Sequence, residues 1–306
     1  MKTLTTSQRY TTAFWDYIQR RGVNNSADLN ERKTYDGGHV VPSDDEAILS
    51  AELAKRNVFR QICSIVATNS PGTVVRALSP AGDAAFVPEN GTIPTSEADQ
   101  TEFKVRSYKI AQLIRVGYDL LHDAGYDLRS ALMKELGRMF ASVEESACVN
   151  GDGETQPYGI LHAEHGAETG VTVTGQTITF DNLTELYFSL KPEYRQSGSW
   201  LMSDNTAFTL RRFKDSSGKP IWPHSDSMLF GQPVCISRFM PDAVAGAKPI
   251  AFGDFSFYWL FERGSALIKS LKEMYAIQEQ AGFICSKHID GRLVKSEAVK
   301  VLEMAQ

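Results

Sequence analysis

The chain has 306 residues, 42% hydrophobic and 23% charged, a globular composition that excludes a disordered chain and suffices for one large domain or two smaller ones. Its net charge of −5 argues against strong general affinity for nucleic acid, which comes from basic surfaces that release counterions, and leaves room only for weak contact. No run of about 18 apolar residues occurs, and Met1-Lys2-Thr3-Leu4-Thr5-Thr6 lacks the apolar core of a signal peptide, so a soluble protein made in the cytoplasm is expected.

Tyr10, Ala13, Phe14, Tyr17 and Ile18 recur at helical spacing between Thr6 and Arg21, which predicts a short amphipathic helix closed by Arg20, Arg21 and Gly22. Val23 to Gly38 is polar and reads as a linker. A second helix is expected to start at Ser43 and Asp44 and to carry Ile48, Leu49 and Leu53, with Val58 and Phe59 at its end. From Ile62 to Val116 the chain turns β-prone, in runs at Ile62 to Val66, Thr73 to Ala77 and Phe103 to Ile110, which predicts a two-stranded excursion. Between its strands Pro80 to Glu102 holds three prolines, two glycines and five acidic residues, too polar to pack and too long for a tight turn.

The stretch from Asp127 to Gly153 organises the rest. Leu128, Leu132, Leu136, Met139, Phe140, Val143 and Ala147 form one apolar stripe, against a polar face with Arg129, Lys134, Glu135, Arg138 and Glu144. Asp127 is the expected N-cap, and Asn150-Gly151-Asp152-Gly153 tolerates positive φ where the helix must stop. Such a helix spans roughly 30 Å, enough for a spine. Beyond it strand and helix alternate, with strands expected at Val171 to Thr174, Ser199 to Ser203, Val234 to Ile236, Pro249 to Asp254, Tyr258 to Phe261, Leu267 to Ser270, Gly282 to Ser286 and Ala298 to Leu302. Helices are expected around Leu183 to Leu190 and from Asn205 to Arg212. The class is α+β.

Catalytic chemistry finds no foothold. His162-Ala163-Glu164-His165 fails the HExxH and HxxEH spacings and reads as a solvated loop. Asn150, Asp152 and Glu154 alternate like a calcium loop, but Thr155 stands where that loop needs glycine, so helix termination is the reading. GxSxG, Walker and GxGxxG motifs are absent, and no catalytic residue, cofactor or metal is expected. Cys63, Cys148, Cys235 and Cys285 lie far apart without a CxxC pair, as reduced thiols would. Trp15, Trp200, Trp222 and Trp259 read as core or interface residues.

Six stretches in register carry a resemblance. They are Gly37-Gly38-His39-Val40-Val41-Pro42, Pro88-Glu89, Asn150-Gly151-Asp152-Gly153, Pro157-Tyr158-Gly159-Ile160-Leu161, Leu229-Phe230-Gly231-Gln232-Pro233-Val234 and Ala251-Phe252-Gly253-Asp254-Phe255. Together they are similar to the HK97-fold major capsid proteins of tailed bacteriophages, over nearly the whole chain. The resemblance implies an N-terminal arm (1–67), an extended β-hairpin or E-loop with its strands (68–115), a peripheral domain with the spine helix (116–159) and an axial domain (160–265). It places peripheral β-strands at 266–297 and a strand returning to the axial domain at 298–306. The implied function is a head of hexamers and pentamers enclosing double-stranded DNA, with separate scaffold, portal and cement proteins as partners, assembled in the host cytoplasm and residing in the virion without a membrane. An encapsulin-type compartment and, more remotely, a soluble enzyme using His162 to His165 are the alternatives.

Two departures stand out. Many relatives carry a long N-terminal scaffolding segment, whereas here about 35 residues precede Gly37-Gly38, so scaffolding is expected from a separate protein or not at all. The founding member joins its subunits by an isopeptide bond from an E-loop lysine, and Glu89 to Asp99 contains no lysine, so no covalent cross-links are expected. The residues expected at subunit contacts are Phe14, Tyr17 and Ile18 on the first helix and the acidic Asp83, Glu89, Glu97 and Asp99 of the loop.

Overall fold

A computed structural model of the chain describes residues 8–19, 38–68, 72, 74–79, 86–87, 99–123, 125–175, 177–215, 217–223, 225–271 and 273–305. In chain order its elements are helix α1 (Gln8–Gln19), strand β1 (His39–Val40), helices α2 (Ser43–Arg56) and α3 (Phe59–Ile62), and strands β2 (Ser64–Thr68), β3 (Val74–Ser79), β4 (Asp99–Lys104) and β5 (Tyr108–Gly117). Then come α4 (Tyr118–His122), the spine α5 (Leu128–Asn150), β6 (Glu168–Val173), α6 (Phe180–Ser189), α7 (Pro192–Arg195), β7 (Ser199–Met202) and α8 (Asp204–Arg211). Strands β8 (Met228–Leu229), β9 (Gln232–Ile236), β10 (Ile250–Gly253), β11 (Tyr258–Leu271), β12 (Gln280–Leu293) and β13 (Val299–Met304) complete it.

The strands form two large sheets and a detached ribbon. The first sheet runs β1-β11-β12-β5, with β2 also pairing along β11. Tyr258 to Phe261 and Leu267 to Ser270, expected as two strands, are one: β11 continues across a register shift between Arg263 and Leu267, where Gly264 takes φ +62. A bulge keeps the ladder while bending the strand, so the glycine that reads as a break is a kink. The second sheet runs β6-β13-β10-β7-β9-β8. Its central strands β7 and β10 are buried at every position, because Trp200, Met202, Ile250 and Phe252 face one cluster while Leu201 and Ala251 face another. A sheet covered on both faces needs continuous apolar runs. β3 pairs only with β4 among the described strands, in register from Val74↔Lys104 to Ser79↔Asp99.

The spine begins at Asp127, whose side chain accepts from the Ser130 N–H at 3.1 Å. Its far end departs from the expected stripe in one respect: Val143 is 52% exposed and Glu144, assigned to the polar face, is 1% exposed. The helix is covered from two sides there, by α3 and by the second sheet, so burial is no longer a single stripe. Gly137 makes the contact with α2 possible, since a Cβ at that position would lie 2.8 Å from Cβ of Glu52. After the spine, Gly151 is extended (φ −61) and only Gly153 takes positive φ (+70). Asp152 closes the turn by accepting from the N–H groups of Glu154, Thr155 and Gln156, each at 3.0 Å, and from Thr155 Oγ1 at 2.7 Å. These bonds, led by that of Thr155, pull its carboxyl down to about 2.

The first helix corrects an expectation. Phe14 and Ile18 are fully buried in a cluster with Leu49, Leu53, Leu132, Leu136, Phe140 and Phe283 of their own chain, and Tyr17 packs at its edge. Trp15 Nε1 donates to Asp45 Oδ2 at 2.8 Å, Tyr10 Oη to the Val40 carbonyl at 2.6 Å, and the Ser270 N–H to Tyr17 Oη at 3.3 Å. Phe14, Tyr17 and Ile18 therefore serve the subunit's own core. The expectation took the polar stretch after the helix as too long to fold it back, yet loop closure costs only about 0.6 kcal/mol more per doubling of length. The linker at 23–37 lies outside the described residues.

Candidate assembly surfaces

Buried charge locks the spine to both flanking layers. Arg60 of α3 donates from Nε and Nη2 to Glu144 at 2.5 and 2.7 Å, and its Nη2 also reaches Glu262 of β11. Asn57 Nδ2 adds a bond to Glu144 at 2.6 Å. Lys287 of β12, 1% exposed at its side chain, joins Glu262 at 3.1 Å and Glu46 of α2 at 3.4 Å. Burial alone would lower the Arg60 pKa, but the charges and hydrogen bonds of Glu144 and Glu262 outweigh it and raise it. Burial opposes ionisation of Glu262 too, and Lys287 and Arg60 nonetheless hold its carboxyl below the ordinary range. Five charged groups from five elements thus meet in the interior, which fixes how α2, α3, the spine and the first sheet sit together.

On the side of the spine away from the first core runs an open groove of about 720 Å³. Met139, Val143 and Ile236 supply apolar surface, and Arg56, Arg138 and Arg238 line it with positive charge. Arg56 pairs with Glu52 and Arg138 with Glu135, both on their own helices, while Arg238 meets Ser142 Oγ and stacks 4.7 Å from the Phe239 ring. Sequence reasoning missed this groove and counted Val143 as core. Its lining comes from α2, β5, the spine and the stretch after β9, and no local pattern brings those together.

The root of the β3–β4 ribbon is the third surface feature. Phe103 and Val105 are 7% and 4% exposed, and Arg292 lies 4.8 Å over the Phe103 ring and 5.2 Å over that of Tyr158. The Arg106 N–H donates to Asp290 Oδ2 at 2.6 Å and the Gly291 N–H to Oδ1 at 2.8 Å. Burial pushes the Asp290 carboxyl up to about 6 despite those bonds. The expected histidine loop lies beside this root. His162 Nδ1 accepts from the N–H groups of Glu164 and His165 at 3.2 and 3.1 Å, and the two imidazoles stack with centroids 5.4 Å apart. Burial first, then Arg292 and His162, lower the His165 pKa. Of the acidic loop residues expected at contacts, Asp99 opens β4, while Asp83, Glu89 and Glu97 lie outside the described residues. Phe86 and Val87, between them, are exposed, Phe86 completely.

Among the described residues no group of His, Cys, Asp and Glu side chains is arranged to hold a metal ion. The sequence model of the phage capsid family matches residues 37–304. The chain belongs to the phage capsid family. Among solved structures it is similar to the chain in "Capsid of native GTA particle computed with C5 symmetry", at 26% identity and TM-score 0.64, over 82% of this chain and 91% of that one. The corresponding chain of the empty GTA particle gives 26% identity and TM-score 0.65, over 82% and 90%. A chain from Mycobacterium phage Bobi, at 16% identity, TM-score 0.56 and coverage of 82% and 91%, shares the fold. No curated protein matches the sequence. The capsid family accounts for the mixed α+β architecture and for a structural rather than catalytic role, and no helix among the described residues is long and apolar enough to cross a membrane.

Proposed function

We propose that the chain is the major capsid protein of a phage-type particle, and that its copies form hexamers and pentamers closing into an icosahedral shell around double-stranded DNA. The observation that carries this reading is the family match over residues 37–304, in a chain whose similar solved structures include a capsid computed with C5 symmetry. The β3–β4 ribbon supports it, since a ribbon that among the described strands pairs with neither main sheet, and whose two strands are joined by an acidic, proline-rich stretch, gains its contacts outside its own body.

In this reading residues 1–67 are the arm, 68–115 the E-loop with its strands, 116–159 and 266–297 the peripheral domain, and 160–265 with 298–306 the axial domain. The boundary after 265 falls in the register shift of β11, and β13 lies between β6 and β10, as a returning strand requires. A separate scaffold, a portal and a cement protein are the further partners, with weak contact to the packaged DNA. The virion is the final location and the host cytoplasm the place of assembly. Electron microscopy of the purified protein tests the reading. Closed shells with five-fold vertices are expected, and small oligomers alone would sink it.

A further inference from the structure

The two faces of the first sheet are unlike. Ile268 of β11, Phe283 and Cys285 of β12, and Ile110 and Ile114 of β5 point into the core shared with α1, α2 and the spine. Side chains alternate across a strand, so the residues between them point the other way. On that other face the registers set Arg263 and Lys109 on either side of His288, Lys269 opposite Ile284, and Arg115 opposite Gly282. Tyr275 marks the same face: a Cβ at Gly282 would come within 2.8 Å of its ring, and the Arg115 guanidinium lies 5.7 Å from the ring centroid. The outward positions from Lys109 to Arg115, Gly282 to His288 and Arg263 to Leu271 carry four full positive charges, one histidine and no carboxylate, in a chain of net charge −5. We propose that this face of the first sheet binds the phosphate backbone of double-stranded DNA and so lines the inside of the shell.

Three observations carry the assignment. First, Arg115, Arg263 and Lys269 form no ion pair with a described residue, whereas Arg56, Arg138 and Lys300 on other surfaces do. An anion that satisfies them comes from outside the subunit. Second, the cations stand on one continuous ladder, which fixes their separation. Strands lie about 4.8 Å apart and rise about 3.4 Å per residue, so the charges frame an area roughly 10 Å across and 20 Å along β5. Duplex DNA carries one charge per about 1.7 Å of axis and offers partners over that whole span. Third, the charges are spread on a flat face whose exposed apolar centre is Leu113, at 38%, with no aromatic anchor for a folded acidic partner. A face three strands wide lies across the backbone rather than inside a groove, so contact is with phosphates and independent of sequence. Few contacts per copy are weak alone and add up over a shell, which reconciles the face with an acidic chain.

The inference rests on the shell reading, and isolated subunits test it apart from assembly. Each phosphate neutralised contributes about 0.9 to the slope of log K against log salt, so wild-type subunits should bind a short fluorescent DNA duplex with a slope of about −3. Arg115→Gln with Lys269→Gln should reduce that slope by about 2 and weaken binding about tenfold or more at low salt. Lys55→Gln with Lys134→Gln, at exposed sites on α2 and the spine, makes the same change in net charge and should leave slope and affinity as they were. Circular dichroism checks that both variants fold, and Lys269→Gln alone should already lower the slope by about 1. No binding, or equal effects of the two double variants, overturns the face. Binding of polyglutamate in preference to the duplex overturns DNA as its occupant. Lys269→Cys then reports which side of the shell the face lines. Burial raises the thiol pKa of all four native cysteines, Cys63 and Cys285 to about 12, so they stay unreactive. A maleimide polymer too large to cross the shell should leave intact particles unlabelled and label them after disassembly, with wild type as the control. Labelling of intact particles puts the face outside and overturns the proposal. Electron microscopy of the same preparations tests the shell separately. Shells without duplex binding remove the face and leave the shell reading standing, and duplex binding without shells removes the shell reading and the inward placement with it.

Discussion

Arg60 and Glu144 stand 84 residues apart in sequence and meet through two parallel hydrogen bonds, Nε to Oε1 at 2.5 Å and Nη2 to Oε2 at 2.7 Å, with both side chains at 3% exposure or less. Removing Glu144 strips the buried Arg60 of its bidentate partner and leaves it only Glu262 among the described carboxylates. Glu144→Leu should therefore cost about 3–5 kcal/mol of subunit stability, measured by denaturant unfolding. Arg60→Met combined with Glu144→Leu should cost clearly less than the single change. Equal losses would mean that the pair itself, rather than the orphaned charge, carries the energy.

Asp290 gives the subunit a distinctive pH dependence. Its carboxyl titrates at about 6 in the folded chain against 3.8 ordinarily. Between those values the unfolded chain has released a proton that the native chain still holds, so this group's contribution falls as pH rises. Above about pH 6 the cost is complete, at about 2–3 kcal/mol. Asp290→Asn removes the titration. The unfolding free energy of the variant minus that of wild type should rise from pH 4 to 6 and then level off, and a flat difference would refute the effect.

Phe14 tests the place of α1. Its ring is fully buried, with Trp15 edge-on at 5.6 Å. Phe14→Ala should lower stability by about 3–5 kcal/mol. Unchanged stability of the isolated subunit would detach α1 from the core and return it to a neighbour.

Replacing Ala84 to Ala98 by a short Gly-Ser linker removes Phe86 and the acids Glu89 and Glu97 while leaving β3 and β4 their full register. Length changes in surface connections cost little, so the variant should melt like wild type by circular dichroism. It should give no particles in sedimentation. Normal shells would show that the segment makes no contact that matters.

Much of this architecture was legible residue by residue. The spine could be read because Asp127 and the leucines at 128, 132 and 136 signal a helix start and face locally. The strands at Ser199–Met202 and Ile250–Gly253 could be read because burial on both faces demands uninterrupted apolar runs. What escaped was non-local. Nothing near Glu144 announces that Arg60 will be its partner, and an inward glutamate on a helix looks like any solvated one. Nothing near Val143 shows that its side of the helix stays bare, since that depends on what α2 and the stretch after β9 leave uncovered. The hydrogen bond that the Ser270 N–H donates to Tyr17 Oη is equally invisible locally, since the two residues are 253 apart in sequence.

The position of β13 also governs timing. β6 pairs with no described strand but β13, which it joins in parallel, and β13 pairs on its other side with β10. Until β13 has been synthesised, the second sheet is two fragments with raw edges, and Val301, Leu302 and Met304 are the wedge that unites them. Until residue 304 has left the exit tunnel, a nascent chain cannot offer a completed subunit to its neighbours, and synthesis itself withholds unfinished copies from the growing particle.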